Sequence, residues 1–504
     1  MTLKRLFLIV LTALVATFIG LGLWQSFSQP QFQSRLELYQ TNLVLQASEW
    51  QPSDANLAAS SKALLGGEPL KAGTEAYQTF RDSVQKNLKR TQASGKSSST
   101  ASVTLETSTL KLKQLLVEVD VRLGILQAAQ GKGSQAQTIW TSAIQQADAQ
   151  TKLEPLSKTA GVLTGLWSDP PQLFPDAESR LKKNLDGWFR YRGLAQLYKL
   201  QQKQNALAEL QVEEQRIAKQ SFQRLAIVGG IPVLGCLIGV GLLLFLGGQW
   251  LLQRKRSLLA PEGIPPWSVP WDGEIVWQVL VVGFFLVGQI LFPFILDIVR
   301  TVFGFNPAGL GERARAVYIL FNYILLAVGG LTVLYLSIQK FVPLPEGWFR
   351  FSLRGNWFWW GLGGYLAALP LVILVSLINQ AVWQGQGGSN PILPIALEGK
   401  DNGALAIFFL TASVAAPLFE ETLFRGFLLP SLTRYLPIWG AITLSALIFA
   451  IAHLSLSEVL PLTILGIVLG FVYARSRNLL ASMLLHSLWN SGTLVSLILL
   501  GSAK

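Results

Sequence analysis

The chain is poor in the residues that usually carry chemistry or covalent staples. A single cysteine, Cys236, in 504 residues excludes an intramolecular disulfide and a cysteine-based zinc site. Histidine is nearly as scarce, with only His453 and His486. Neither starts an HExxH sequence, so the helical zinc-protease signature is absent. Charge is thin too. Asp, Glu, Lys and Arg make up 14% of the chain, against roughly 25% in soluble proteins. Much of the chain must therefore sit where charge is costly. Acidic residues are outnumbered 29 to 41, for a net charge of +12. Such an excess could suit nucleic acid. Here the basic residues cluster beside apolar runs, and no basic helix interleaved with aromatics reads as a groove reader. No nucleic-acid partner is expected.

What fills the space is apolar sequence, at 51% of residues. Nine runs approach the roughly 20 apolar residues that a spanning helix needs. They cover 5–26, 224–252, 275–299, 315–338, 356–382, 404–430, 437–454, 459–474 and 479–500. The expected fold class is all-α, a polytopic helical membrane protein with an extramembrane all-helical domain. The bilayer is then an obligatory partner. Five parts are expected: a transmembrane anchor at 1–30, an extramembrane helical domain at 31–222, a transmembrane helix at 223–253, a cytoplasmic linker at 254–272 and a helical core at 273–504. The first run has a long apolar core, and no clear small-x-small site precedes Gln29 and Pro30, so an uncleaved anchor is expected.

Residues 31–222 are a different material, glutamine-rich and helical in pattern. The segment VRLGILQAAQGKGSQAQTIWTSAI at 121–144 reads as two short amphipathic helices around a glycine-containing turn, like one tetratricopeptide-type pair. YRGLAQLYKLQQKQNALAEL at 191–210 is a weaker echo. Such repeats bury a core only by stacking, so a plain helical bundle fits equally well. ASGKSSSTAS at 93–102 has the composition of a flexible loop. No reactive constellation is visible in this part, so capture of a protein partner is its expected use. Lys4 and Arg5, then Arg254, Lys255 and Arg256, mark cytoplasmic ends. Residues 31–222 then face the periplasm or a lumen, as in a bacterial inner membrane or a thylakoid. Lys340, Arg350, Arg354, Arg434, Arg475 and Arg477 follow the same bias, while Arg300, Arg313, Arg315 and Lys400 run against it.

The last four runs hold polar residues at depth: Glu420, Glu421, Arg425, His453, His486 and Asn490. An ionisable residue within a span is a functional-site hypothesis by default. Glu421 and Arg425 are spaced i,i+4 on one helix face, as are Phe449 and His453, and His486 and Asn490. Glu420 sits about 100° from Glu421 on the wheel. Arg425 can thus neutralise Glu421 while Glu420 faces elsewhere. Pro437, in the turn RYLPIWG at 434–440, lies midway between Glu421 and His453. An antiparallel hairpin there sets the glutamates and His453 at one height. Pro417 removes a helical hydrogen bond just before the glutamates. Gly466 and Gly470 would admit close helix packing.

EETLFR at 420–425, FAIAH at 449–453 and HSLWN at 486–490 fit the patterns EExxxR, FxxxH and HxxxN. Together they resemble the CAAX prenyl endopeptidase and bacteriocin-processing family (CPBP, or Abi) of intramembrane proteases. The resemblance covers roughly 310–500 and implies roles. Glu420 and His453 would activate a water, and His486 and Asn490 would stabilise the oxyanion. Glu421 and Arg425 would hold the site, and Phe449 would pack against it. It implies an endopeptidase acting on a membrane-associated protein or peptide. Glu420, His453 and His486 could also ligate zinc with a position left for water, so a metal-dependent and a metal-free mechanism both remain open. A non-enzymatic membrane scaffold and a transporter with a Glu–His proton relay are the alternative readings.

Overall fold

The computed structural model describes residues 2–27, 33–94, 102–147, 153–304, 309–383, 386–390 and 392–501. Among them there is no strand. Eight helices are long and apolar enough to cross a membrane: Leu3–Phe27, Gln204–Arg256, Gly273–Val302, Glu312–Phe341, Trp357–Trp383, Asn402–Leu432, Leu456–Ser476 and Leu479–Gly501. The run at 437–454, expected as a ninth span, forms only the 14-residue helix Ile438–Ile451. At 1.5 Å per residue that is about 21 Å, short of a hydrocarbon core of about 30 Å. The helix starts after Pro437 and stops before His453, where the chain turns and Leu454 takes a φ of +54°.

The chain forms two compact units, Gln33–Gly230 and a unit of Met1–Phe32 with Ile231–Gly501. The division falls inside the single helix Gln204–Gln253. In the first unit, Ser102–Ala129 and Gly133–Ala147 form an antiparallel pair, so the first helix is much longer than the motif at 121–144 suggested. Trp140 seals the pair. Its indole N–H donates to the Val121 carbonyl at 3.0 Å, and its ring fills the space over Gly124, where a Cβ would come within 2.2 Å of it. Gly187–Leu200 is joined through 201–203 to the helix that begins at Gln204. The loop expected at 93–102 falls largely outside the described residues.

Buried acids in this unit are hydrogen-bonded, to arginine or to neutral donors. Asp120, on Ser102–Ala129, has no exposed side-chain surface and is bound by Arg81. Burial is the largest influence on its carboxyl and raises its proton affinity above the usual range, while Arg81 partly offsets this. Glu49 accepts from the Trp188 indole at 2.7 Å and from Arg192, and Gln46 donates to Glu214.

In the second unit, Leu3–Phe27 is tied along its length. Lys4 and Arg5 pair with Glu274 at 2.9 and 2.8 Å, the Trp277 indole donates to the Thr12 hydroxyl at 2.7 Å, and Leu456 N donates to the Ser26 hydroxyl at 3.1 Å. Residues 254–272 pack rather than dangle. Trp271 is fully buried, and Arg475 donates to the carbonyls of Ala260 at 2.6 Å and Gly263 at 2.9 Å. Asn402–Leu432 lies against Glu312–Phe341, Ile438–Ile451 and Leu479–Gly501, and these four helices frame the polar cluster.

Candidate active site

Pro417 shapes the helix that carries the glutamates. With no N–H, it cannot bond the carbonyl of Ser413. On either side the helix widens to π-type turns, at Thr411–Ala415 and Thr422–Leu428, a feature frequent at functional sites. The freed carbonyls are taken by the last helix. Ser487 Oγ donates to Ser413 O at 2.6 Å, and Asn490 Nδ2 donates to Ala412 O at 2.7 Å. The HxxxN helix is therefore docked onto the backbone defect next to the glutamates.

The two glutamates have different surroundings. Glu421 is fully buried and accepts from Arg425 Nη1 at 2.8 Å. The same oxygen accepts from His486 Nδ1 at 2.9 Å. Arg425 also donates to Gly466 O at 3.2 Å and lies 4.5 Å from the centre of the Phe449 ring. That approach needs Gly466, because a Cβ there would come 2.8 Å from the Ala446 Cβ and 3.3 Å from Arg425 Nη2. Glu420 retains 15% of its side-chain exposure. Its Oε1 accepts from the Tyr323 hydroxyl at 2.9 Å. Its Oε2 has no hydrogen-bond partner and lies 3.9 Å from His486 Nε2.

His453 does not sit on a helix face with Phe449, as the i,i+4 spacing suggested. It lies just past the helix end, and its Nδ1 meets Phe449 O at 2.9 Å. Its ring packs edge-on against Phe449 with centroids 4.9 Å apart, and the same Phe449 ring packs on His486 at 5.8 Å. Phe449, buried to 1% exposure, thus joins Arg425, His453 and His486. The turn that carries His453 is braced from outside the motif helices. Gln289 Nε2 donates to Ala452 O at 3.0 Å, and Ser26 takes the free N–H of Leu456.

The structure therefore gathers Glu420, Glu421, Arg425 and His486 by polar contact and joins Phe449 to them by packing. His453 connects to the cluster through Phe449, without an ion pair to Glu420. Asn490 is held one turn along from His486. The zinc donor set named from the sequence is not assembled. Among the described residues no three His, Cys, Asp or Glu side chains converge on a metal position.

Tyr323 is the contact that motif reading missed. It lies in Glu312–Phe341, a helix outside the last four apolar runs that carry the motifs. Its signal was present, since Asn322 and Tyr323 are polar neighbours within an apolar span.

Residues 402–492 match the model of the Rce1-like type II CAAX prenyl endopeptidases. The chain is also 27% identical over 88 residues to a Bacillus subtilis (strain 168) protein named "Putative membrane peptidase YdiL". That match covers 18% of this chain and 36% of the relative's length. No solved structure matches. The stretch holding both glutamates, both histidines and Asn490 is thus similar, over 402–492, to the Rce1-like type II CAAX prenyl endopeptidases.

Proposed function

We propose that the protein is an intramembrane endopeptidase in which Glu420 activates the attacking water. The observation that carries this reading is the division between the glutamates. Glu421 is fully buried and commits one oxygen to both Arg425 and His486, whereas Glu420 keeps 15% of its exposure and turns an unpartnered oxygen toward His486 Nε2. In the reaction, Glu420 Oε2 takes a proton from water, aided by His453. The hydroxide adds to the scissile carbonyl, and donors from His486 and Asn490 meet the developing oxyanion. The proton on Glu420 then passes to the leaving nitrogen as the C–N bond breaks. The substrate is a membrane-associated protein or peptide, and a prenylated cysteine near its C-terminus is the chemistry that the matched family name suggests.

The Glu421–His486 bond favours a second allocation of roles within the same site. With the Nδ1–H of a neutral His486 donated to Glu421, Nε2 is an acceptor that can take a proton and share the water with Glu420, whereas an oxyanion donor at Nε2 needs both ring nitrogens protonated. His486→Gln separates the two. It restores an N–H donor but no base, so it recovers part of the activity lost in His486→Ala only if His486 is an oxyanion donor.

The positive-inside pattern puts 31–222 on the periplasmic or lumenal side, where it recruits a protein partner for cleavage. Deleting 31–222 while keeping the spans is expected to slow cleavage of the native substrate and spare short peptides. The enzymatic reading is tested by comparing peptides released in membranes carrying the wild type and Glu420→Gln. Peptides present only with the wild type support it. Identical peptide sets, with both proteins folded and abundant, overturn it.

A further inference from the structure

We infer that Tyr323 is a positioning residue for the reaction, holding one oxygen of Glu420 so that the other faces the water. This rests on the reading of Glu420 as the water-activating carboxylate. Three observations carry it. The Tyr323 hydroxyl donates to Glu420 Oε1 at 2.9 Å across 97 residues of sequence. Glu420 Oε2 is left without a partner and points toward His486 Nε2 at 3.9 Å. The tyrosine is itself fixed, because its ring packs edge-on against Phe419 at 6.2 Å, and Phe419 stacks on Phe284 at 6.1 Å. Glycine at 330 eases the approach of Phe419, since a Cβ there would lie a tight 3.1 Å from its ring.

The physical case follows from a carboxylate's freedom. A glutamate side chain has many rotamers and two equivalent oxygens. With neither oxygen held, it could turn toward Arg425, whose Nε has no partner, and surrender its reactive geometry to a second ion pair. One directional hydrogen bond from a packed phenol selects the rotamer and distinguishes the two oxygens. Glu421 gets its order from Arg425 and His486. Glu420 accepts its one side-chain hydrogen bond, among the described residues, from Tyr323. Tyr323 does not touch the reacting atoms and acts only through Glu420.

The test is Tyr323→Phe, which removes one oxygen and keeps the ring against Phe419. The full-length protein is placed in proteoliposomes with an internally quenched peptide ending in a farnesylated cysteine and three further residues. The expected loss in kcat is about 10- to 100-fold, the scale of misplacing a catalytic group, with KM within about twofold. The second readout needs no substrate. The carboxyl-carbon NMR signal of Glu420, assigned by its disappearance in Glu420→Gln, moves in Tyr323→Phe while those of the other glutamates stay in place. An unchanged kcat, or an unmoved Glu420 signal, overturns the proposal. If Tyr323→Phe does not fold, 3,5-difluorotyrosine at 323 supplies a stronger donor of nearly the same shape. It must move the same signal, and failure to do so is equally fatal. Glu420→Gln keeps the outcomes apart. An active Glu420→Gln removes the reading of Glu420 itself, whereas an inactive Glu420→Gln beside a fully active Tyr323→Phe removes only the role of Tyr323.

Discussion

Both units of this protein bury carboxylates, but they use them differently. In the Gln33–Gly230 unit, Asp120 has both oxygens directed at Arg81, and Glu49 is taken by Trp188 and Arg192. In the membrane unit, adjacent residues of one helix hold the only buried carboxylate oxygens without a hydrogen-bond partner among the described residues, Glu420 Oε2 and Glu421 Oε2. Burial of charge alone therefore does not mark a reactive group. An unpaired oxygen in a buried carboxylate is expensive, since an unsatisfied buried polar group costs about 1–3 kcal/mol. Both glutamates bear that cost, and what separates them is the rest of their surroundings: Glu421 is sealed against Arg425 and His486, while Glu420 keeps 15% of its side-chain exposure.

The widest test of that contrast exchanges charge for shape. Glu420→Gln keeps an acceptor for Tyr323 but loses the proton-accepting carboxylate. Cleavage should fall by about 10³-fold, within the range for a general base, with a thermal unfolding midpoint close to the wild type. A folded, active Glu420→Gln would make Glu420 as structural as Asp120. Glu421→Gln should do the reverse and strike stability first. It leaves the Arg425 guanidinium, 1% exposed, without its counter-charge, a loss on the order of 3–5 kcal/mol. Replacing both Glu421 and Arg425 by methionine should cost less than Glu421→Gln alone, because no orphan charge remains. Calorimetry in detergent measures all three. Equal melting of Glu420→Gln and Glu421→Gln would erase the distinction between the neighbours.

Asn490 sits on the border of the comparison. One amide hydrogen is already committed to Ala412 O, and an amide has a second. If that second hydrogen meets the oxyanion, Asn490→Ala lowers kcat by about 10²-fold and leaves KM little changed. A fall in melting temperature with unchanged kcat would move Asn490 to the structural side, as the clip that closes the gap left by Pro417.

The sequence pattern reached some of this and stopped for physical reasons. The i,i+4 rule was enough for the Glu421–Arg425 pair, because both residues sit on one helix. The helical class and the spans followed from apolar run length, which a bilayer dictates. Apolar run length overran at 437–454, where the composition continues past Ile451 but the backbone turns. The His486–Glu421 and Tyr323–Glu420 bonds join residues 65 and 97 positions apart. No local spacing rule encodes such contacts. The carbonyls freed by Pro417 could have been anticipated, but not which side chains would take them.

The smallest expected effect lies in the first unit and tests whether its buried acid is only structural. Burial raises the proton affinity of Asp120 above the unfolded value, with Arg81 as a partial offset. The sign then follows from linkage. Below the ordinary Asp value of 3.8, both folded and unfolded chains hold the proton, and the contribution of Asp120 to stability is fully present. As pH rises, the unfolded chain releases its proton first, and that contribution falls until the folded protein also ionises. Asp120→Asn cannot ionise, so its stability relative to the wild type should improve as pH climbs from about 3 toward neutrality. Against this, it weakens the grip on Arg81, whose side chain is 20% exposed and can still reach water, so the net change should stay near 1 kcal/mol. Thermal unfolding of both full-length proteins across that range checks the trend, and peptide cleavage should not change at any pH. A decline in the stability of Asp120→Asn relative to the wild type as pH rises would mean that Arg81, rather than burial, governs Asp120. A loss of cleavage would mean that the buried acids of the two units are not as separate in function as their hydrogen bonding indicates.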